Sequence, residues 1–544
     1  MNDKALRRIV IVGGGIAGWV AAAPLASKLR RGDGPRCEIV LVESPASASL
    51  DEVEATLPAI RAYNRSLGLD NADFVRRTQA TYKLGIEFRD WGSVGHRFFH
   101  GFCDFGPAIE NRPSFMHWLR LARAGKMPSY EDWSIATVMA RANRFTPPQG
   151  ELASAGNGYT YAYHVDAGLY ADYLCGYAIE HGVQRVEGTV VDVELRADDG
   201  FIAALRLADG RRIEGDLFID CSGPRGLLIE EALHAGYEDW SELLPCDSAL
   251  AVPSARAAVL TSYTMATAKK AGWQWRIPLQ HRTGNGHVYC SAFMSDNEAE
   301  RVLLEGLDTP VLGDPRPLRV ATGRRRKSWL RNCVALGAAA GFIEPLESTG
   351  IQLIVDGVGR LIENFPDRDF APPLAAEYNR LTAIQYERIR DFIAMHYKLT
   401  ARDDSPFWRH CAAMPIPDSV QHQIELFRSS GRVAIFERGG FLESSFISIL
   451  FGLGVEPRAW DPFIDRMDER ALRAHFARLR SAIAGTVAAM PYHDDYIARH
   501  ARAEPAAAGT ACSDGLHCAA LGSGTVSKDR RRLGGRAAIA LPNA

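Results

Sequence analysis

Near the start of the chain six residues form a glycine pattern: Gly13, Gly14, Gly15, Ile16, Ala17 and Gly18. The pattern follows apolar residues 9–12 and precedes a helical pattern, which is the context that a nucleotide-binding turn requires. Gly13 permits a tight turn, Gly15 lets the backbone approach a pyrophosphate, and Gly18 allows close helix packing. The helix N-terminus then offers free N–H groups to phosphates, and Glu43, at the end of the next apolar strand, would accept ribose hydroxyls. We predict a dinucleotide-binding βαβ unit.

Two indoles stand two residues apart in the middle of the chain, Trp273 and Trp275, directly ahead of Ile277-Pro278. Residues two apart on a strand point to the same face of a sheet. We therefore predict that the two indoles form one rigid apolar wall beside a substrate pocket.

Two charged side chains are candidates for the chemistry, Lys83 and Glu347. Lys83 lies in an alternating stretch, 81–91, which predicts a single strand covered on one side with Lys83 on the polar face, where a lysine is ordinarily solvated. Glu347 lies among apolar and small residues, where a carboxylate is costly unless it has a partner or a function. It could otherwise cap the helix that begins at Thr349 and Gly350, whose N–H groups suit an anion.

The pattern of strands and helices that must position these residues predicts an α/β protein. A Rossmann-type FAD-binding domain of the flavoprotein monooxygenase kind is joined to a β-sheet substrate domain and a mainly helical C-terminal region. FAD is favoured over NAD because residues 215–223 resemble the second nucleotide-contacting segment of flavoprotein monooxygenases. The predicted segments are 1–100 and 166–235 for FAD binding, 101–165 for the substrate site, 236–327 for the substrate sheet, 328–365 for a return segment that binds FAD and an anion, 366–500 for the helical region, and 501–544 for a disordered tail.

Composition excludes several functions. The 544 residues are 47% hydrophobic and 24% charged with a formal net charge of -2, which is typical of a globular enzyme and not of a nucleic-acid-binding or membrane protein. Ten cysteines are scattered without a CxxC pair, and no signal peptide is evident, so we expect reduced thiols, no metal site and a cytoplasmic location.

Several separate blocks resemble the flavin-dependent tryptophan halogenase family, from Arg8 to about His500. Besides the glycine pattern and the Trp-x-Trp-x-Ile-Pro run, Lys83 ends an Ala-Thr-Tyr-Lys block, and residues 341–351 contain Glu-Pro-Leu-Glu-Ser-Thr. Residues 396–397 and 402–408 form a further block. The resemblance implies a halogenase.

The resemblance implies FAD, received as FADH2 from a separate flavin reductase, together with O2 and chloride or bromide. Hypohalous acid formed at the flavin would travel to a separate site that holds a small aromatic substrate, and the indole wall would keep that substrate off the flavin. There Lys83 would either hydrogen-bond hypohalous acid or carry the halogen as a haloamine. Glu347 would stabilise the cationic ring intermediate and accept its proton. Whether the enzyme is a monomer or a homodimer stays open.

Further site residues follow from the same resemblance. Ala55, Val190, Ala338 and Ile351 match flavin contacts by position, and Thr349 with Gly350 matches the halide site. His100 and Phe102 match aromatic residues that sandwich the substrate ring, although a cluster of this kind can also be simple core packing.

The sequence departs from the family in two places. In the segment that links the flavin and substrate sites (the strap, 51–56), Asp51 and Val53 replace two glycines, which is expected to change FAD binding. Residues 428–436 stand where tryptophan halogenases carry a longer lid that grips the amino-acid group. We therefore expect indole or another electron-rich arene to fit better than tryptophan. The alternatives are a flavin-dependent aromatic hydroxylase and a catalytically impaired FAD-binding protein.

Overall fold

A computed structural model describes residues 4–31, 34–35, 37–45, 53–148, 158–435 and 440–503. These residues belong to a unit that spans Met1–Glu504. The predicted disordered tail lies outside the described residues from position 504 onward, and so does Asp51 of the strap. None of the described helices is both long and apolar enough to cross a bilayer.

The nucleotide-binding half is built on a six-stranded sheet, here called the nucleotide sheet. Its spatial order is Val183–Glu187, Glu38–Glu43, Arg8–Val12, Leu217–Asp220, Cys333–Ala335 and Trp329–Leu330. All neighbours are parallel except the last pair. Parallel strands with helices on their faces are buried on both sides, which explains the continuous apolar runs at residues 9–12 and 39–42. The predicted Rossmann-type fold is confirmed.

A seven-stranded sheet, here called the substrate sheet, forms the second half. Its order is Arg316–Arg319, Ser248–Ala255, Arg282–Tyr289, Gly272–Pro278, Thr264–Lys269, Gly85–Arg89 and Arg97–Gly101. The last two strands, apart from Gly101, fall within the segment 1–100 that the sequence assigned to FAD binding. They join the substrate sheet because Gly85–Arg89 pairs in parallel with Thr264–Lys269.

A small antiparallel sheet connects the two halves. It consists of Val53–Ala55 of the strap, Ala162–Asp166 and Thr81–Lys83, with Ala162–Asp166 in the centre. The remaining strands form two small sheets and one two-residue hairpin: Val190–Leu195, Ile202–Leu207 and Arg212–Glu214; Tyr237–Asp239, Gly323–Arg325 and Gly341–Phe342; Arg30–Arg31 and Gly34–Pro35.

The helices surround these sheets and dominate the C-terminal part. The described α-helices are Ile16–Lys28, Ile60–Ser66, Asn71–Arg77, Ser114–Ala124, Ile135–Arg141, Ala167–Glu180, Asp296–Glu305, Gly350–Glu363, Pro372–Lys398, Pro406–Ala413, Asp418–Ser430, Glu443–Gly452, Glu469–Ala489 and His493–His500. Helix Gly350–Glu363 buries Ile351, Ile354 and Val358, which share one helical face, and it packs on helix Ile16–Lys28. The start of that helix is thereby held beside the glycine turn.

One strand prediction was wrong. Residues 81–91 form two strands in different sheets, Thr81–Lys83 and Gly85–Arg89, instead of one strand covered on one side. Gly85 is the first residue of the second strand. It packs so closely on the neighbouring strand that a Cβ there would overlap the carbonyl oxygen of His100. Since both strands are covered by other elements, Lys83 is fully buried and not solvated.

Candidate active site

The glycine turn leaves space where a pyrophosphate would lie. Gly13 has a φ of 117°, and a Cβ there would overlap the carbonyl oxygen of Cys221 on the neighbouring strand end. A Cβ on Gly18 would overlap the Gly13 carbonyl oxygen, so helix Ile16–Lys28 packs tightly against the turn. A Cβ on Gly15, by contrast, would meet nothing within 4 Å, and no side chain caps the helix that follows it. The turn therefore fits a dinucleotide.

Glu43 lies at the carboxyl end of its strand, next to the glycine turn. Its carboxylate is ion-paired with Arg185 and packs so closely on Gly14 that a Cβ there would overlap it. The carbonyl of Glu43 accepts the N–H of Gly188, which brings Val190 near the same strand end. The acid is thus oriented at the edge where the sequence predicted a ribose.

The other predicted flavin contacts lie in three separate segments. Ala338 belongs to the turn Gly337–Ala339, and a Cβ on Gly337 would lie 2.8 Å from the Cβ of Ala17. Ile351 lies in the first turn of helix Gly350–Glu363. Ala55 ends the strap strand, one residue before Thr56.

The Lys83 amine is enclosed between two segments. Its Nζ donates to the Ser348 hydroxyl at 2.7 Å and to the Thr56 carbonyl oxygen at 3.1 Å, and it lies 5.2 Å from the centre of the Phe102 ring. Burial lowers the pKa of Lys83 to about 7, although Glu347 opposes this shift. Both protonation states of the amine are therefore populated near neutral pH.

Glu347 is fully buried between two histidines. His100 Nδ1 lies 2.9 Å from Glu347 Oε2, and His396 Nε2 lies 2.9 Å from Oε1. Burial by itself raises the pKa of this carboxyl, but the interactions with His100 and His396 outweigh it and hold the pKa at about 2. Glu347 does not cap the following helix, whose N-cap is Thr349.

The residues after Glu347 form a polar position at the N-terminus of a helix. Ser348 has a left-handed backbone with a φ of 61°, which turns its hydroxyl toward Lys83. Thr349 Oγ1 is buried and has no hydrogen-bond partner within the described ranges. A Cβ on Gly350, at the first position of the helix, would meet no atom within 4 Å. An unpaired hydroxyl beside open space at a helix N-terminus suits a small anion.

Aromatic rings lie beside the Lys83 and Glu347 side chains. The ring centres of His100 and Phe102 are 6.2 Å apart, and His100 lies 6.1 Å from Phe392. Phe392 also stacks on Phe441 at 3.8 Å, just before helix Glu443–Gly452. The predicted pair, His100 and Phe102, is thus brought together with both charged residues.

Trp273 and Trp275 lie on one face of the substrate sheet, with ring centres 6.0 Å apart. The register places Trp275 opposite Ala266, and Ala266 opposite Phe88, so both indoles share the face that carries Phe88 and His100. Trp275 covers Gly286, where a Cβ would overlap its ring.

The indole of Trp273 is anchored by a buried carboxyl group. Its Nε1 donates to Glu344 Oε1 at 3.1 Å, and the Tyr397 hydroxyl donates to the same oxygen at 2.7 Å. Burial raises the pKa of Glu344 to about 7, although these two hydrogen bonds act against the shift. Glu344 is therefore a support for the indole wall.

The strap contains a structural adjustment that the sequence did not reveal. A Cβ on Gly284 of the substrate sheet would overlap the side chain of Val53. Val53 stands where the family carries glycine, and the missing side chain at Gly284 makes room for it. The valine thus fits without distorting strand Val53–Ala55.

Three further groups of the site were not identified from the sequence: Ser348, Thr56 and His396. Ser348 lies inside the Glu-Ser-Thr block, and His396 begins another family block. The sequence therefore marked both residues but did not indicate what either of them does. Thr56 acts through its backbone carbonyl oxygen. Every residue type has this group, so the sequence could not indicate the contact.

Comparisons with known proteins show which family this chain resembles. The tryptophan halogenase family matches residues 8–469. A tryptophan 6-halogenase of Streptomyces toxytricini, SttH, is 34% identical and aligns over 92% of this chain and 99% of its own length. Two solved structures are 42% identical with a TM-score of 0.88. BrvH, a flavin-dependent halogenase from Brevundimonas sp. BAL3, aligns over 91% of this chain, and Xcc4156, a flavin-dependent halogenase from Xanthomonas campestris, over 92%; both align over 99% of their own chains.

The Rossmann-type sheet, the glycine turn and these matches define a flavin-dependent halogenase. The chain belongs to the tryptophan halogenase family, which confirms the resemblance inferred from its blocks.

Proposed function

We propose that this enzyme uses FADH2, O2 and chloride or bromide to halogenate an indole-type aromatic substrate at the Lys83 and Glu347 site. The observation that carries the proposal is the enclosure of these side chains among His100, Phe102 and Phe392. An amine and a carboxylate that are both fully buried are costly and are placed where charge has a function.

The turn Gly13, Gly14, Gly15, Ile16, Ala17 and Gly18 would hold the cofactor, together with Glu43, Ala55, Val190, Ala338 and Ile351. Bound as FADH2 with O2, the flavin supplies the two-electron oxidation that converts a halide into hypohalous acid. Flavin-dependent halogenases receive reduced flavin from a separate reductase, and we propose the same for this enzyme.

Thr349 and Gly350 would bind the halide. The unpaired Thr349 hydroxyl donates to an anion, and the open space at Gly350 admits one to the N-terminus of helix Gly350–Glu363. A halide held there lies beside Ser348, which links this position to Lys83.

Lys83 would activate hypohalous acid. Two N–H groups of the ammonium are used by Ser348 and Thr56, and the third is available for the oxygen of hypohalous acid. As the ring carbon bonds to the halogen, the oxygen–halogen bond breaks, and the oxygen leaves as water with a proton from this ammonium. The C–H bond then breaks, its electrons restore the aromatic ring, and Glu347 accepts the proton.

The proposed substrate is an indole without a required amino-acid group. The connection between helices Asp418–Ser430 and Glu443–Gly452 is short, and recognition of a zwitterion needs buried polar partners. In a competition assay we expect indole to be halogenated in preference to L-tryptophan. A strong preference for L-tryptophan would contradict this assignment of the substrate.

The test supplies FAD, a flavin reductase, NADH, O2, bromide and a panel of indoles, with products identified by mass spectrometry. We expect monohalogenated indoles. Hydroxylated products without halogen would indicate an aromatic hydroxylase, and retained FAD without any product would indicate an impaired flavin-binding protein.

The Lys83→Ala variant should lose halogenation while NADH and O2 consumption continue, because the flavin steps do not need this amine. Lys270→Ala, at an exposed lysine, is the matched control and should behave like the wild type. Retained halogenation in Lys83→Ala would refute the role of the amine.

A further inference from the structure

His396 uses both of its ring nitrogens within the protein. It lies near the end of helix Pro372–Lys398 and is fully buried. Its Nδ1 is 2.9 Å from the carbonyl oxygen of Phe392, and its Nε2 is 2.9 Å from Glu347 Oε1. A ring turned by 180° would place carbon atoms against both oxygens, so these two contacts fix its orientation.

The partners of His396 determine where hydrogens must be. A backbone carbonyl only accepts, so Nδ1 carries a hydrogen. A neutral imidazole would then present the lone pair of Nε2 to Glu347, and a carboxylate offers no hydrogen in return. One additional proton must therefore be shared by the pair, either on His396 Nε2 or on Glu347.

The surroundings place that proton on the histidine. His100 Nδ1 lies 2.9 Å from the other carboxylate oxygen, and the contacts with His100 and His396 outweigh burial in lowering the pKa of Glu347, so Glu347 is stabilised as an anion. Around His396 lie Phe88, Trp91 and Phe392, with ring centres 5.1, 6.0 and 5.4 Å away. Glu347 is the charged group bonded to His396 within the described residues, and an anionic partner favours the protonated imidazole.

We propose that His396 is a positioning residue that holds a proton beside Glu347 and so keeps this carboxylate oriented and anionic until it accepts the proton of the ring. The neutral histidine–acid alternative would leave Glu347 uncharged and unable to stabilise a cationic ring. The proposal deepens the proposed function, since it rests on the role of Glu347 in halogenation.

The first test measures protonation without turnover. In protein with ¹⁵N-labelled histidine and no FAD, we expect one buried histidine with both ring nitrogens protonated at pH 7.5. This signal should be absent from His396→Gln and present in His422→Gln, which removes an exposed histidine. If all 15 histidines of the wild type are neutral at this pH, the proposal is overturned, whether or not the variants fold.

The second test uses the conservative variant His396→Gln. Glutamine at position 396 can donate a neutral N–H to Glu347. In His396→Gln the carboxylate loses its charged partner, so halogenation should fall about tenfold or more between pH 8 and pH 6, unlike in the wild type. NADH oxidation and the KM for indole should change little.

The outcomes separate this proposal from the proposed function. A wild type that halogenates no arene refutes the function, while the NMR result still decides the protonation of His396. If His396→Gln halogenates with the wild-type rate and pH profile, the positioning role is refuted and the function stands.

Discussion

At the scale of residues, the proposed reaction site contains buried ionisable groups whose pKa values are shifted in opposite directions. Burial lowers the pKa of Lys83 and raises the pKa of Glu344, each to about 7, whereas two histidines keep Glu347 ionised. Residue type and spacing indicated Lys83 and Glu347 through the family blocks. They could not indicate these values, because the shifts come from neighbours distant in sequence.

The activity of Lys83 should depend on pH. If the ammonium activates hypohalous acid, the halogenation rate under excess reduced flavin falls as pH rises through about 7, because the amine loses its proton. Product formation between pH 6 and 9, corrected for the rate of hypohalous acid formation, measures this. A rate that rises over the same range would instead indicate the haloamine route.

Glu344 should make the stability of the folded protein depend on pH. Its pKa in the folded protein lies above the ordinary value of 4.5, so its contribution is complete below pH 4.5 and is lost as pH rises through about 7. Glu344→Gln removes this loss, at most about 3 kcal/mol. Between pH 5 and 7.5 the Tm of the variant should therefore fall less than that of the wild type.

The control for Glu344→Gln is Glu242→Gln, at an exposed glutamate, which should follow the wild-type curve. Identical pH dependence of Tm in Glu344→Gln and wild type would contradict a buried, proton-binding carboxyl group at this position.

At the scale of elements, periodicity predicted the first βαβ unit and the helix at Gly350, because their apolar patterns are local. It failed at residues 81–91, where one alternating pattern covers two strands of different sheets. An alternating pattern shows which side chains are apolar, but it does not show which sheet a strand joins. The burial of Lys83 could not be predicted because it depends on strands from distant segments of the chain.

The contact between Val53 and Gly284 is testable by paired substitution. Gly284→Ala should lower stability by about 1–3 kcal/mol and weaken FAD retention, because its Cβ overlaps Val53. Val53→Gly in the same chain should restore both. Gly359→Ala, in a helix with open space around its Cβ, serves as control and should not destabilise.

Thermal unfolding and the amount of FAD retained after gel filtration are measured for Gly284→Ala, Val53→Gly, their double variant and Gly359→Ala. Additive losses in the Val53→Gly, Gly284→Ala double variant would show that the two positions do not make room for each other.

At the scale of the whole molecule, family blocks from Arg8 to about His500 indicated both halves of the fold, and the described elements agree. The family blocks did not indicate how the two halves are connected. The strap pairs with Ala162–Asp166, which also pairs with the Lys83 strand, so one small sheet connects the flavin side with the substrate side.

The C-terminal tail should be dispensable. Ala503 N–H donates to Gln280, whose amide in turn donates to the Ala501 carbonyl, so the last described residues are held to the body of the protein. A chain ending at Glu504 should keep the Tm and the halogenation rate of the full chain. A loss of either, measured side by side, would assign the tail a role.

The complete enclosure of the Lys83 amine gives the protein a chemical selectivity by size. A partly neutral amine is a strong nucleophile, yet bulky acylating reagents added from outside have no approach to an amine that exposes no surface. Under the proposed function the electrophile is hypohalous acid, which has only two heavy atoms and is made by the enzyme itself. A lysine that is protected from ordinary labelling would thereby be reserved for that one small reagent.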